Sequence, residues 1–199
     1  MVCGTFTSVV GRFSPLPSGR MHLTFDAAPP QGPRRPSRPA EEHAMSTDTS
    51  LIDELEAQEK ALVFAAFDET VAYEVGERLV GAARRDEAPV VIDIRTPDRT
   101  LFHAALPGSS PDNDHWARRK SNVTLRLHKS SMRVGESYRL KGRTLGPDHG
   151  FDPLDYACHG GSFPVRVAGT GVVAAITVSG LASEEDHAMI IKVLEDYLS

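Results

Sequence analysis

The C-terminal part of the chain has the clearest alternation of apolar and polar positions. Residues 160–169 and 172–180 are two apolar runs rich in β-branched residues, and a glycine-containing turn separates them. Such a pair predicts an antiparallel hairpin. From 183 to 199 apolar residues recur every three or four positions, which predicts an amphipathic helix with a capping box at Ser183 and Asp186. The helix would cover one face of the hairpin.

The same patterning divides residues 50–129 into alternating helices and strands. Gly76 interrupts one apolar helical stripe, which indicates that this helix packs closely on a sheet. Residues 135–150 are polar and punctuated by glycine, so we expect a long surface loop with at most one helical turn. Five strands, mostly joined as hairpins, predict an α+β fold around a mostly antiparallel sheet. The predicted helices are 51–60, 69–85 and about 112–129, and the predicted earlier strands are 61–67, 89–96 and 99–106.

Residues 1–48 have a different composition from the rest of the chain. They are rich in proline, glycine, serine and arginine and lack apolar periodicity, so they cannot offset the entropy of ordering. We therefore expect a disordered leader at 1–48, with Met45 as a candidate true start, and a single folded domain at 49–199. No apolar segment of the kind found in secretory signals follows the first residues.

Charge and cysteine content narrow the expected partners. The net charge is −5, and residues 1–44 carry five arginines against Asp26, Glu41 and Glu42, so the remaining residues carry −7. This balance argues against nucleic acid as a partner. No run approaches the roughly 18 apolar residues of a membrane span. Cys3 and Cys158 form no disulfide framework, which fits a cytoplasmic protein.

Three motifs occur in order along the chain. They are Asn113-x-x-Trp116-x-x-Arg119-Lys120, then His159-Gly-Gly-Ser-Phe-Pro164, then Gly169-x-Gly171 leading through Val-Ser-Gly-Leu181 to Asp186-His187. Over residues 50–199 the chain resembles uncharacterised protein family 303, a branch of the haem-degrading-domain superfamily. The resemblance implies a profilin-like fold, a homo-oligomer, and binding or breakdown of haem, which makes haem the candidate cofactor.

Lys120 and Arg119 are the first candidate ligand-binding residues. Lys120 lies on the same helical stripe as Trp116 and Val123, so its aliphatic stem should begin among apolar groups. One interpretation is that the ammonium extends to the surface, as lysines on apolar faces commonly do. The other is that Lys120 and Arg119 lie beside a cleft and bind a carboxylate or phosphate.

Two histidines complete the candidate set. His187 lies on the inward face of the last helix, where a neutral ring could bind a ligand or accept a proton, or could simply be a hydrogen-bonded, half-buried side chain. His159 precedes Gly160 and Gly161, which either let the backbone approach a ligand or another chain, or merely start a strand. Cys158 is expected to be a buried, inert thiol.

No established catalytic or metal motif is present. The chain has no H-E-x-x-H, C-x-x-C, P-loop or G-x-S-x-G sequence, so no metal ligands or catalytic residues are assigned. Three functions stay open: binding of haem or another small anionic ligand, enzymatic turnover of haem or a small metabolite, and a non-catalytic oligomeric scaffold. Under the first, one anion-accepting pocket is bounded by Trp116, Arg119, Lys120, His159, Gly160, Gly161 and His187.

Overall fold

A computed structural model describes residues 49–199, and the predicted leader, residues 1–48, lies outside the described residues. The described part contains five α-helices and five strands, and a short 3-10 helix, Pro147–His149, follows the fourth helix. In chain order the elements are α1 (Ser50–Ala61), β1 (Val63–Phe64), α2 (Glu69–Arg85), β2 (Val91–Arg95), β3 (Thr100–Ala105), α3 (Pro111–Leu127), α4 (Ser131–Leu140), β4 (Ser162–Val167), β5 (Gly171–Ser179) and α5 (Ser183–Leu198).

The five strands form one sheet in the order β1-β4-β5-β2-β3. The β2–β3 and β4–β5 hairpins are present as predicted, and β2 and β5 pair antiparallel at the centre of the sheet. Only β1 pairs in parallel, with β4. The predicted α+β class with a mostly antiparallel five-stranded sheet is therefore confirmed. Within residues 49–199, no helix has both the length and the apolar character needed to cross a bilayer.

Helices cover both faces of the sheet. Helices α2 and α5 pack on one face, where Leu79 and Leu194 meet Ile92 and Ile176 in the apolar core. The other face lies under α3 and is more polar. Gly76 permits close packing of α2, as predicted: a Cβ atom there would lie 2.5 Å from the Phe102 ring.

The region after α3 differs from the prediction. Helix α3 ends at Leu127 because His128 adopts a left-handed conformation (φ 54°), and Ser130 then caps a further helix, α4, by accepting a hydrogen bond from the Arg133 N–H. The prediction of a loop from residue 135 was therefore wrong up to Leu140. Apolar periodicity is weak here because α4 is anchored by polar contacts, chiefly the ion pairs of Arg133 with Glu59 and Glu56 of α1.

Two smaller predictions also need correction. The strand predicted at 61–67 is only the two residues of β1. The predicted capping box of α5 is also wrong: Ala182 precedes the helix, and the Glu185 carboxylate accepts a hydrogen bond from the Ala182 N–H at 3.2 Å. Asp186 is not available as a cap residue because its carboxylate is buried against Lys120.

Candidate ligand-binding site

Lys120 is buried, with 2% of its surface exposed, under α3. Its ammonium donates hydrogen bonds to the Gly160 carbonyl (3.0 Å), the Val178 carbonyl (2.7 Å) and the Asp186 carboxylate (2.9 Å). One interpretation of the sequence was that the ammonium extends to the surface, and this burial contradicts it. An ammonium has three N–H donors, and all three have protein acceptors, so none is left for a ligand.

Asp186 completes this buried pair from the first turn of α5. Besides Lys120, its carboxylate accepts a hydrogen bond from the Leu181 N–H at 3.0 Å and a longer one from the Gly180 N–H at 3.4 Å. Burial lowers the pKa of Lys120 and raises the pKa of Asp186, and in each case the opposite charge of the partner acts against the shift. The pair thus joins α3 to the start of α5 at a desolvation cost.

Gly160 and Gly161 pack against this pair. A Cβ atom on Gly160 would lie 2.2 Å from the Ser183 carbonyl oxygen. On Gly161, which has φ +108°, it would lie 2.5 Å from the Val178 oxygen and 2.6 Å from the Lys120 nitrogen. Protein atoms therefore occupy the space that the two glycines leave, and the glycines are required for this packing.

The surface next to the pair is formed by Trp116, Arg119 and His159, which we call the Trp116 surface. The Arg119 guanidinium lies over the Trp116 ring at 4.3 Å from its centroid. The His159 ring meets the same tryptophan edge to face, with centroids 4.9 Å apart. The Ala157 N–H donates to the Arg119 carbonyl at 3.1 Å, which holds the segment before His159 against α3. His159 is exposed, whereas Trp116 and Arg119 are half-buried.

The charge of the Trp116 surface is not neutralised within the described chain. Arg118 pairs with Asp155 at 2.9 Å, but among residues 49–199 no carboxylate forms an ion pair with Arg119, whose buried Nε–H also has no acceptor. Burial lowers the pKa of His159, and the positive charges of Lys120 and then Arg119 lower it further. A neutral imidazole and an unpaired guanidinium therefore flank one aromatic ring, an arrangement suited to a flat anionic ligand.

His187 makes a different set of contacts. It is 4% exposed and lies on the inward face of α5, with its Nε2 2.9 Å from the Gln58 Oε1 and its ring 6.0 Å from that of Phe163. Burial lowers its pKa to about 4. It lines a groove of about 250 Å³ between α1 and α5. Of the seven predicted residues, the structure therefore brings six together, namely Lys120 and the five that lie near it. The seventh, His187, has its side chain directed to α1.

One charged cluster was not predicted. His103 of β3 lies between two carboxylates, with Nδ1 3.2 Å from Asp93 and Nε2 3.1 Å from Asp114, and Arg95 also binds Asp93. Asp93 is buried at the centre of the sheet. The sequence signal for this cluster is Asp93 within an apolar strand, with Arg95 two residues later. The third member, His103, follows only from the register of the hairpin, which places it opposite Asp93.

Another groove was also not predicted. It has a volume of about 870 Å³ and runs between α2 and α5, with Ala82, Leu181 and Met189 along its apolar part and Arg85 and Lys192 beside them. None of the seven predicted residues lines it. The sequence periodicity predicts that α2 and α5 both pack on the sheet, but it does not predict the width of the groove between them.

Comparison with known proteins agrees with the fold and the motifs. Residues 67–195 match the family described as haem degrading protein HbpS-like. UPF0303 protein SCO2848 of Streptomyces coelicolor is 51% identical over 147 residues, which cover 74% of this chain and 93% of that protein. UPF0303 protein mlr5144 of Mesorhizobium japonicum is 43% identical over 155 residues, covering 78% and 91%. The chain belongs to the HbpS-like haem-degrading protein family, and both of these relatives are UPF0303 proteins.

Solved structures extend the comparison. The crystal structure of Ybr137w protein has a TM-score of 0.65 and 32% identity, covering 74% of this chain and 90% of that one. HbpS (TM-score 0.55, 20% identity, 68% and 92% coverage) and the PduOC:Heme complex (0.57, 14%, 65% and 94%) share the fold at lower identity. Together these likenesses establish the fold class predicted from the motifs.

Proposed function

We propose that this protein binds a small anionic ligand, haem or another anionic metabolite, at the Trp116 surface. The observation that carries the proposal is the unpaired Arg119 guanidinium, stacked on Trp116 beside the exposed His159. The neighbouring Arg118, which is also half-buried, is by contrast paired with Asp155. A guanidinium held in place without a carboxylate has donors free for one supplied by a ligand.

Each residue of the Trp116 surface has a distinct part in this proposal. Arg119 donates to a carboxylate or phosphate of the ligand, Trp116 packs on its flat apolar portion, and His159 offers a neutral ring nitrogen. Lys120 is a positioning residue, because its ammonium holds the Gly160 carbonyl and so fixes the segment that carries His159. For a haem ligand, His159 is the residue that would hold the iron, since its exposed imidazole is deprotonated at neutral pH.

The family assignment supports haem as the first ligand to test. The matching family is described as haem degrading, and a neighbour of the same fold, PduOC, has been crystallised as a haem complex. The identity to PduOC is only 14%, so that structure supports the scaffold and transfers no haem-binding residue to this chain. Binding, with or without turnover, is the function we propose.

We further propose that the domain forms a homo-oligomer and acts in the cytoplasm. In support of self-association, β3 is a six-residue strand at the edge of the sheet, and Leu154 is 77% exposed. Unpaired edges and exposed large apolar side chains are common in interfaces. Light scattering at micromolar concentration should give a multiple of the monomer mass, and a monomer mass would contradict this part.

Haem titration followed by the Soret band tests the ligand and the site together. The wild type should give a shifted Soret band, His159→Ala should lose that shift, and Arg119→Gln should weaken binding by about tenfold or more through the loss of a charged hydrogen bond. His115→Ala is the matched control, because His115 is an exposed histidine on α3, the helix that carries Trp116 and Arg119. It should behave as wild type.

Two outcomes would contradict the proposal. Equal Soret shifts in the wild type, His159→Ala and Arg119→Gln would place haem elsewhere. If the wild type gives no shift, mass spectrometry of small molecules that co-purify with it, but not with Arg119→Gln, decides between another anion and no ligand. Absence of any such anion would leave the binding proposal without support and contradict it.

A further inference from the structure

A surface pocket of about 460 Å³ lies beside the C-terminal half of α3. Leu125 and Arg126 of the helix line it, together with Tyr156 and with Pro97 of the turn between β2 and β3. Its volume is within the range of sites for small organic ligands. None of the seven predicted residues lines this pocket, which we call the Arg126 pocket.

Two aromatic rings and one carbonyl hold the Arg126 guanidinium in place. Its Cζ lies 4.1 Å from the centroid of the buried Phe151 ring and 5.2 Å from that of Tyr156. Its Nη1 donates to the Gly150 carbonyl at 2.9 Å. A guanidinium that stacks on a ring keeps its remaining donors in its own plane, where a carboxylate can accept two hydrogen bonds. Because the side chain is already ordered, a ligand loses less conformational entropy on binding it.

The charge of Arg126 is not balanced by a carboxylate within residues 49–199. Arg78 is also stacked on an aromatic ring, that of Tyr197, but it pairs with Asp196 at 2.9 Å. Arg126 instead shares the arrangement of Arg119, which is stacked on a ring without an ion pair. The aromatic contact fixes the guanidinium and leaves its charge available to a ligand.

The other polar groups of the Arg126 pocket are already paired with protein atoms. Arg118 binds the Asp155 carboxylate at 2.9 Å and the Leu154 carbonyl at 3.0 Å. The Asn122 amide nitrogen donates to the Asp155 carbonyl at 2.9 Å. The lining thus has two guanidiniums against one carboxylate, and Arg126 supplies the unbalanced charge. This net positive charge favours an anionic ligand.

We propose that the Arg126 pocket binds a small organic carboxylate with a flat apolar body. The carboxylate accepts hydrogen bonds from the free edge of the Arg126 guanidinium, and the body packs on Tyr156, Leu125 and Pro97. Arg126 lies two helical turns beyond Arg119, about 10 Å further along α3, so this is a second anion site. It does not depend on the function proposed for the Trp116 surface.

Three planar probes of nearly equal size separate the contributions of charge and shape. Benzoate, benzamide and benzamidinium would each be titrated into ¹⁵N-labelled protein at neutral pH, with the Arg126 Nε–H and the backbone amides observed by NMR. Benzoate should shift the Arg126 Nε–H resonance and the amides around Tyr156. It should bind about tenfold more tightly than benzamide, and benzamidinium should not bind there.

Variants locate the binding. Arg126→Gln should lower the benzoate affinity about tenfold. Arg84→Gln is the matched control, because Arg84 is an exposed helical arginine with no ion pair among residues 49–199, and it should leave the affinity unchanged. Arg119→Gln should also leave it unchanged, so this test and the haem titration can fail separately.

A conservative variant keeps the test valid should Arg126→Gln fail to fold. Arg126→Lys retains the positive charge but lacks the planar pair of donors, so it should still bind benzoate several-fold more weakly than the wild type. Benzamide, which depends on the apolar wall, should bind this variant as it binds the wild type.

Three results would overturn the proposal. Equal binding of benzoate and benzamide would remove the role of charge. Wild-type benzoate affinity in a folded Arg126→Gln or Arg126→Lys protein would mean that Arg126 serves only to hold Gly150 and the aromatic rings. The absence of any shift at Arg126 with benzoate would mean that the pocket holds only water.

Discussion

Lys120 and Asp186 form a fully buried ion pair, with the ammonium nitrogen 2.9 Å from the carboxylate oxygen and about 2% of each residue exposed. The ammonium also binds the carbonyl oxygens of Gly160 and Val178. Lys120 belongs to the first of the three sequence motifs, Gly160 to the second, and Val178 and Asp186 to the third. The three motifs that carry the family resemblance therefore meet at one buried charge.

Replacing Lys120 by methionine should destabilise the fold. The substitution leaves the Asp186 carboxylate buried without its cation, and breaking one partner of a buried pair typically costs about 3–5 kcal/mol. Urea unfolding at neutral pH should reveal a loss in that range. Lys129→Met is the matched control, because Lys129 is exposed just after α3, and it should change stability by less than about 0.5 kcal/mol.

Adding Asp186→Asn to Lys120→Met should restore part of that stability. Asparagine keeps an acceptor for the Leu181 N–H and removes the uncompensated charge. If Lys120→Met alone were as stable as the wild type and weakened haem binding, Lys120 would contact the ligand directly, contrary to the geometry described above.

Gly160 is required by the close approach of the Ser183 carbonyl. A methyl group at residue 160 would lie 2.2 Å from that oxygen, so Gly160→Ala should force α5 to shift and lower stability by about 2 kcal/mol or more. Gly146→Ala is the control, because no atom lies within 4 Å of the added methyl there and the backbone is extended. Thermal unfolding of the two variants compares them directly, and equal midpoints would show that the 160 backbone can relax.

The sequence predicts the fold well where burial follows a regular period. The β2–β3 and β4–β5 hairpins, α2 and α5 all have apolar residues at the spacing of their structure, and each was predicted. Helix α4 was missed because polar contacts anchor it, and ion pairs such as that of Arg133 with Glu59 leave no apolar period. The parallel pairing of β1 with β4 could not be predicted from local sequence patterns either, because it joins residues about a hundred positions apart.

The candidate site was predicted as a list of residues but not as a geometry. Motif spacing identified Trp116, Arg119 and His159, which the structure brings together. It could not show that the Lys120 ammonium is fully used by protein acceptors, because those acceptors are backbone carbonyls, which any sequence supplies. Nor could it show that the His187 ring is directed to Gln58, 129 positions away.

His187 should make stability depend on pH. Its pKa is about 4 in the folded protein and about 6.5 in an unfolded chain, so between these values only the unfolded state binds the proton. Stability is therefore complete above about pH 6.5 and is lost as the pH falls towards 4, by up to about 3 kcal/mol from this residue. Urea unfolding at several pH values in this window measures the slope.

His187→Phe should flatten that slope, because phenylalanine does not titrate. His115→Phe is the control at an exposed histidine and should keep the wild-type slope. Carboxylates contribute to both variants alike at the acidic end, so the difference between the two curves isolates His187. Parallel curves for the two variants would mean that the buried imidazole accepts a proton in the folded state.

Removal of the residues before Met45 should leave the folded domain unchanged. Among residues 49–199 the apolar core runs from Leu62 to Leu194, and the first turn of α1 is closed by the Thr49 carbonyl, which accepts a hydrogen bond from the Asp53 N–H at 3.0 Å. A chain that begins at Met45 keeps the apolar core and the Thr49–Asp53 hydrogen bond. The removed segment has no apolar periodicity with which to stabilise the fold. Its thermal midpoint and its mass by light scattering should equal those of the full chain. A midpoint several degrees lower, or a smaller assembly, would show that residues before Met45 contribute to folding or to self-association.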